Sequence, residues 1–229
     1  MLKILMTRFK QGCRTLAFPK GKLPVLPVRY RGRPIVAGQG DSVDLGKITF
    51  IPDSGIRHSN DFRMATSRRE DLILKGDIDA LAFTVNQKIV KMFGRSLKLR
   101  QVSAGGCNAC EADINVLNTP VFDLSRFGVQ FVASPRHADG MVVTGPVTRN
   151  MREALLKTYE ATPDPKIVIA VGACAISGGI FSNSPESSKG LDTIIPVDLY
   201  IPGCPPHPLT TLDGLLRLMG RLKNRQTGP

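Results

Sequence analysis

No run in these 229 residues approaches the ~18–20 apolar residues that a helix needs to cross a bilayer. The opening MLKILMTRFKQG holds no apolar stretch long enough for a secretory signal. We therefore expect a cytoplasmic chain, in which cysteines stay reduced. Cysteine is itself scarce, with five in all and none between residues 35 and 80. Clustered cysteines in a reducing compartment point to metal binding or catalysis. The stretch from Gly172 to Gly179 is followed by no Lys-Ser or Lys-Thr pair, so it does not read as a phosphate loop. Beyond Tyr30, no aromatic interleaves the densest basic group, and stacking on nucleic-acid bases is not expected. No internal repeat is found.

What is abundant is positive charge, and it is unevenly placed. The net charge is +12, with 31 Lys+Arg against 19 Asp+Glu. Residues 1–103 carry 20 Lys+Arg and 8 Asp+Glu, so the whole excess lies there, and residues 104–229 carry 11 of each. Such a half can face nucleic acid, an anionic membrane surface or an acidic partner, or can be a solvated surface. Residues 1–40 are rich in Pro and Gly and have no sustained period, which suggests an extended arm lying on a partner. Arg14, Arg29, Arg31 and Arg33 form its densest basic group. Docking on other subunits or on lipid headgroups suits them better than binding nucleic acid. Residues 41–80 hold short apolar pieces such as KITFI and a charged stretch, with no independent core in view. LAFTVNQKIVKMFG (81–94) reads as a short amphipathic helix with Leu81, Val85, Ile89, Val90 and Phe93 on one side.

From Leu97 the pattern changes. LKLRQVS (97–103), VQFVA (129–133), GMVVTG (140–145), KIVIAVG (166–172) and VDLYIPG (197–203) are short apolar runs ending near small residues, and read as buried parallel strands. Helical stretches lie between or after them at 111–118, 148–161 and 207–222. In the second, Thr148 is placed to cap and Met151, Leu155 and Tyr159 share a stripe. Strands alternating with helices indicate an α/β fold, a doubly wound parallel sheet with helices on both faces, preceded by an irregular basic N-terminal extension.

Cys13 sits alone in the arm. Cys107 and Cys110 form one pair, and Cys174 and Cys204 stand far apart. Each group follows an expected strand. In an open parallel sheet, ligands collect outside the carboxyl ends of the strands, so three loops bring four thiols to one rim. Gly105, Gly106, Gly172, Gly178, Gly179 and Gly203 let backbone approach closely there. Pro205 and Pro206 stiffen the loop after Cys204. Thiolates suit iron–sulfur clusters or zinc. One pair joined to two distant cysteines is less like a zinc ribbon than like a cluster site. A zinc-stabilised, non-redox assembly or nucleic-acid-binding protein is the alternative of another class.

GRSLKLRQVSAGGCNACEADINVLNTPVFDLSRFGVQFVASPRHADGMVVTGPVT, AVGACAISGGIF and IPVDLYIPGCPPHP resemble the small, cluster-bearing subunit of group 4 membrane-bound nickel–iron hydrogenases of the formate hydrogenlyase type. The same superfamily holds the 20 kDa subunit of respiratory complex I. The resemblance covers roughly residues 93–222. It implies a flavodoxin-like domain with one 4Fe-4S cluster on Cys107, Cys110, Cys174 and Cys204, close to the active site of a large catalytic subunit. That partner would be of the nickel–iron hydrogenase or complex I 49 kDa-like kind, with a ferredoxin-like subunit and membrane subunits alongside. It further implies electron transfer within an oxidoreductase complex peripheral to the cytoplasmic side of the membrane, the chain not being catalytic alone. Complex I subunits carry two adjacent cysteines at the first site. C-N-A-C matches the hydrogenase branch, and a complex I-like quinone or ferredoxin oxidoreductase is the alternative. MLKILMTRFKQGCRT, LPVRYRGRPIV and NDFRMATSRREDLIL resemble flanks of the two-cluster ferredoxin subunit of these complexes, without its cysteines. We therefore divide the chain into a docking segment without a cluster (1–80) and a cluster-binding domain (81–229).

In hydrogenases an acidic residue just after the first motif is associated with proton transfer, which makes Glu111 and Asp113 candidates. A first-turn acidic pair is also what a helix dipole favours. Arg136 and His137, in SPRHADG, are candidates for contact with the cluster surroundings or the large subunit. His207 is expected to cap the following helix or meet a partner, and His58 to be a lone surface residue.

Overall fold

The computed structural model describes residues 2–12, 14–21, 25–36, 42–47, 56–75 and 87–222. Cys13 and the expected helical residues 81–86 lie outside them. The first helix, α1, is Leu2–Gln11. Two short strands, β1 (Ser42–Asp44) and β2 (Ile73–Lys75), pair antiparallel with Val43 opposite Leu74. Helix α2 (Gln87–Phe93) buries Ile89 and Phe93, as its stripe requires.

The α/β part runs β3 (Leu97–Ser103), α3 (Ala109–Val116), β4 (Val129–Phe131), β5 (Gly140–Thr144), α4 (Arg149–Ala161), β6 (Ile167–Val171), α5 (Ala173–Ser177), β7 (Leu199–Ile201) and α6 (Pro208–Leu218). The strands form one parallel sheet in the order β4-β3-β5-β6-β7. Counted from β3, this is the flavodoxin-like order, in which the winding reverses between the first and third strands. The reversal here lies between β3 and β5.

The apolar runs explain which strands are central. GMVVT and IVIAV are apolar almost throughout, and all five residues of each strand are buried. That pattern belongs to a strand covered on both faces. Alternate residues then serve opposite faces. Leu97, Leu99, Val142, Ile167, Ile169, Leu199 and Ile201 pack with α2, α3 and α6. Met141, Val143, Val168, Ala170 and Tyr200 pack on the other side with Leu155 of α4 and Ile176 of α5.

The second face has a cover that the sequence pattern does not announce. Leu45, Met64, Leu72 and Leu74 are buried in the same cluster as Met141 and Val143. The described residues of 42–47 and 56–75 thus share the core of the sheet. Several ties hold them there. The Arg69 guanidinium grips both carboxylate oxygens of Asp44 at 2.9 and 2.7 Å. Ser177 Oγ donates to the Gly46 carbonyl at 2.7 Å. Thr66 exchanges two backbone hydrogen bonds with Tyr200 of β7, at 3.0 and 2.8 Å.

One expected helix end and one expected cap differ. The last helix stops at Leu218 rather than 222, since Gly220 takes a positive φ of 67°, the left-handed conformation that ends helices. Thr148 occupies the N-cap position of α4, but its hydroxyl makes no capping bond. Its carbonyl accepts from Met151 and Arg152 N–H, and its side chain lies against Gly105, where a Cβ would stand 2.4 Å from Thr148 Cγ2. Among the described residues, no helix is long and apolar enough to cross a membrane.

Candidate cluster site

All five strands of the main sheet point the same way, so their carboxyl ends share one rim. Three of the loops leaving that rim carry the four cysteines. After β3, the chain passes Gly105 and Gly106 to Cys107, turns at Asn108 with φ 71°, and enters α3, of which Cys110 is the second residue. After β6, Gly172 opens α5, of which Cys174 is again the second residue. After β7, Pro202 and Gly203 lead to Cys204.

The loops are fastened to one another. Gly172 N–H donates to the Ile201 carbonyl at 2.9 Å, and Ala173 N–H to the Gly203 carbonyl at 2.8 Å. A Cβ at Gly172 would stand 2.6 Å from Cys110 Sγ, and one at Gly179 would stand 2.9 Å from Cys174 Sγ. Two glycines at positive φ therefore floor the space that holds these sulfurs. All four cysteines are free thiols. Cys107 is exposed and the other three are half-buried.

The electrostatics ask for a cation. Burial is the main force raising the Cys110 thiol, followed by the charges of Glu111, Cys174, Cys204 and Cys107. Burial, then Cys204, Cys107 and Glu111, push the Cys174 thiol up to about 11. Each influence is burial or another negative charge, so four thiolates here need positive charge delivered with the bound group. Among the described residues, no three Cys, His, Asp or Glu side chains stand close enough to share one metal ion. A donor set of four thiols gathered on one rim suits a thiophilic group, an iron–sulfur cluster or zinc.

Glu111 pins the first loop across the reversal point of the sheet. Its Oε1 accepts from Ser103 Oγ and from Thr144 Oγ1, each at 2.6 Å. Those two hydroxyls are register partners on β3 and β5. Burial alone would disfavour the carboxylate, but the bonds from Ser103, Thr144 and its own N–H outweigh it, and the net shift is downward. Glu111→Gln is expected to hold the thermal midpoint near that of the parent, because an amide oxygen accepts both bonds. Glu111→Ala leaves the exposed Ser103 hydroxyl to water and the buried Thr144 hydroxyl with only its long 3.4 Å bond to the Val102 carbonyl, at about 1–3 kcal/mol, and is expected to melt a few degrees lower. Paired thermal melts check both.

A family model for the NADH ubiquinone oxidoreductase 20 kDa subunit matches residues 107–218, a span that starts on Cys107 and contains the other three rim cysteines. The chain is 48% identical over 135 residues to a probable membrane-bound hydrogenase subunit of Pyrococcus furiosus, covering 59% of this chain and 81% of that one. The chain belongs to this 20 kDa subunit family. It is 45% identical over 148 residues to formate hydrogenlyase subunit 7 of Escherichia coli, covering 65% of this chain and 58% of that one. It is 36% identical over 166 residues to an NADH-quinone oxidoreductase subunit of Heliobacterium modesticaldum, covering 70% and 94%. Among solved structures, a chain of the membrane-bound sulfane sulfur reductase, an archaeal respiratory membrane complex, superposes with a TM-score of 0.51. The two are 38% identical, with coverage of 58% of this chain and 73% of that one. The 20 kDa subunit family is known for an iron–sulfur cluster, and its members are subunits of oxidoreductase complexes. This agrees with the resemblance read from the motifs.

The remaining candidates are distributed around the family-matched rim. Asp113 separates from Glu111: it is half-buried, its carboxyl is raised by burial, and it lines a cavity of about 690 Å³ together with Cys204, Pro206 and His207. The opposite wall comes from the N-terminal segment, with Tyr30 from the arm and His58 from beyond it. His207 caps α6, accepting from Leu209 N–H on Nδ1 at 3.1 Å. Its ring meets Tyr30 edge-on at 5.1 Å, and burial lowers its pKa. His58 is not the lone surface residue expected. Its Nδ1 lies 2.8 Å from the Gly32 carbonyl, to which it donates, so it ties the arm to the stretch that follows it. Arg29 and Arg31 line the same cavity. Arg136 and His137 stand exposed on the turn after β4. Sequence reasoning does not find Ser103 and Thr144. Their only signal is position, each being the last residue of its strand at the binding rim.

Proposed function

We propose that this chain is the electron-transfer subunit of a membrane-associated, hydrogenase-type oxidoreductase complex, holding one 4Fe-4S cluster on Cys107, Cys110, Cys174 and Cys204. The observation that carries this reading is the meeting of three cysteine loops at one glycine-floored rim, with Cys110 Sγ against Gly172 and Cys174 Sγ against Gly179. When bound, the cluster supplies one-electron transfer. The protein's own work is positional. Glu111 anchors the loop that carries Cys107 and Cys110 to β3 and β5 at once. The bonds from Gly172 and Ala173 fix the Cys174 loop to the Cys204 loop. Burial of Cys110 and Cys174 keeps water from one side of the site and so helps to set the potential.

The partners proposed are a large catalytic subunit over the rim, a ferredoxin-like subunit that exchanges electrons with the cluster, and membrane subunits, on the cytoplasmic side of the membrane. Ile180 and Phe181 support the first of these, being exposed apolar residues directly after Gly179 at the rim. The relatives named as a membrane-bound hydrogenase subunit and a formate hydrogenlyase subunit support the hydrogenase branch, as does C-N-A-C at the first site. Coverage of 94% of an NADH-quinone oxidoreductase subunit favours a second reading, a complex I-like quinone or ferredoxin oxidoreductase. Two C-x-x-C motifs in the co-purifying large subunit would decide for hydrogenase.

The test of the cofactor is direct. Chain purified without air is expected to be brown, to contain about four iron and about four acid-labile sulfide per chain, and to become paramagnetic on one-electron reduction. Stoichiometric zinc without iron overturns the proposal.

A further inference from the structure

Helix α1 buries none of its residues, and its apolar stripe is exposed. Leu2, Leu5, Met6 and Phe9 fall on one stripe of the helix, at the i, i+3, i+4, i+7 spacing that ordinarily faces a core. Ile4, Thr7 and Gln11 lie on the opposite side. Those three, with the flanking Lys3 and Arg8 and with Arg14, Thr15 and Pro120, border a groove of about 520 Å³, and Ile4 there is 74% exposed. The chain just past the helix is fastened by Thr15 Oγ1 to the Pro120 carbonyl and by Leu16 N–H to the Val121 carbonyl, both at 2.8 Å. Arg126 adds a bond to the Leu16 carbonyl at 2.7 Å. The orientation leaves Phe9 87%, Leu2 74%, Met6 55% and Leu5 51% exposed.

Whatever covers this stripe must be apolar and must also accept cations. Lys3, Arg8 and Lys10 flank the stripe. The first 40 residues carry nine Lys+Arg and no Asp or Glu, the first acidic residue being Asp41. An anionic bilayer offers both properties, with acyl chains beneath a layer of phosphates. Ten residues of helix span only about 15 Å, half of a hydrocarbon core of about 30 Å, so α1 can lie on a membrane and not cross one.

We propose that α1 lies flat in the headgroup layer of an anionic phospholipid membrane, with Leu2, Leu5, Met6 and Phe9 sunk toward the acyl chains and Lys3, Arg8 and Lys10 among the phosphates. The inference rests on the membrane-peripheral reading above but not on the cluster. This chain would then touch lipid itself rather than reach the membrane only through other subunits.

Flotation of the full chain with phosphatidylcholine vesicles, with and without phosphatidylglycerol, tests it. Binding is expected only with phosphatidylglycerol and is expected to weaken with salt. The double variant L5E/F9E is expected to bind at least about tenfold more weakly. Iron per chain is measured in the same samples and is expected to stay unchanged, which separates this proposal from the cluster assignment. The chain has no tryptophan, so Phe9→Trp supplies a single reporter, expected to shift to the blue on phosphatidylglycerol vesicles. Wild-type chain that ignores vesicles, vesicle binding indifferent to L5E/F9E, or an indole in the Phe9→Trp variant that stays in water overturns the proposal. So does a double variant that binds vesicles normally but no longer assembles with the large subunit, since α1 would then face a protein.

Discussion

Cys174→Ala, purified without air, is expected to fall from about four iron per chain to almost none, and Cys107→Ala, Cys110→Ala and Cys204→Ala to lose or degrade the cluster likewise. The expectation follows from the rim. Cys174 is the single thiol that the β6 loop contributes, and Cys204 the single one from β7. No sixth cysteine exists in the chain to replace either, and Cys13 is far off in sequence. Cys13→Ala is the control, expected to keep all its iron. The sheet itself should survive these changes, because the buried strand residues of β5 and β6 pack in two cores that Cys110 alone of the four cysteines adjoins. Far-ultraviolet dichroism alongside the iron assay separates a lost cluster from a lost fold. Full iron in Cys174→Ala or Cys204→Ala defeats the four-ligand assignment, and lost iron in Cys13→Ala would add a ligand to it.

A methyl group at Gly172 is expected to do nearly as much damage. Gly172 has φ 87° and ψ 155°, a conformation that side chains resist. The added Cβ would also stand 2.6 Å from Cys110 Sγ. Relief by moving the glycine is blocked, since its N–H is bonded to Ile201 and the next N–H to Gly203. The sulfur must yield instead, and a ligand pushed from its place no longer closes the cluster site. Gly172→Ala is therefore expected to lose most of its iron. Gly12→Ala is the matched comparison, with φ 67° and nothing within 4 Å of its added Cβ. It too has a positive φ but lacks the collision, and its iron is expected to be unchanged. Equal iron in the two variants would mean that the contact at Cys110 does not matter.

The parts of the fold that the sequence announces are those with continuous signals. IVIAV and GMVVT can only be buried strands, and their carboxyl ends locate the rim. Four cysteines after three such strands make convergence predictable, though not the glycine floor beneath the sulfurs. Residues 42–75 are opaque for a physical reason. Leu45, Met64, Leu72 and Leu74 enter the core singly, from short strands and turns, and so leave no period to detect. The contact of Tyr30 with His207 joins distant parts of the chain, which no local pattern encodes. Glu111 can be read as an acid beside a cluster motif. That its partners are the hydroxyls of Ser103 and Thr144 depends on which strands lie side by side, a matter of topology.

The backbone exchange between Thr66 and Tyr200 bears on how neighbouring chains can attach. β7 ends the sheet, and a terminal strand with open amides invites another chain to extend the ladder, whether as a proper partner or as an aggregate. Tyr200 is the middle residue of β7, and both its amide and its carbonyl are already taken by Thr66. The protein has in effect supplied its own last rung, so on that side a complex can grow only by side-chain contact, never by adding a strand.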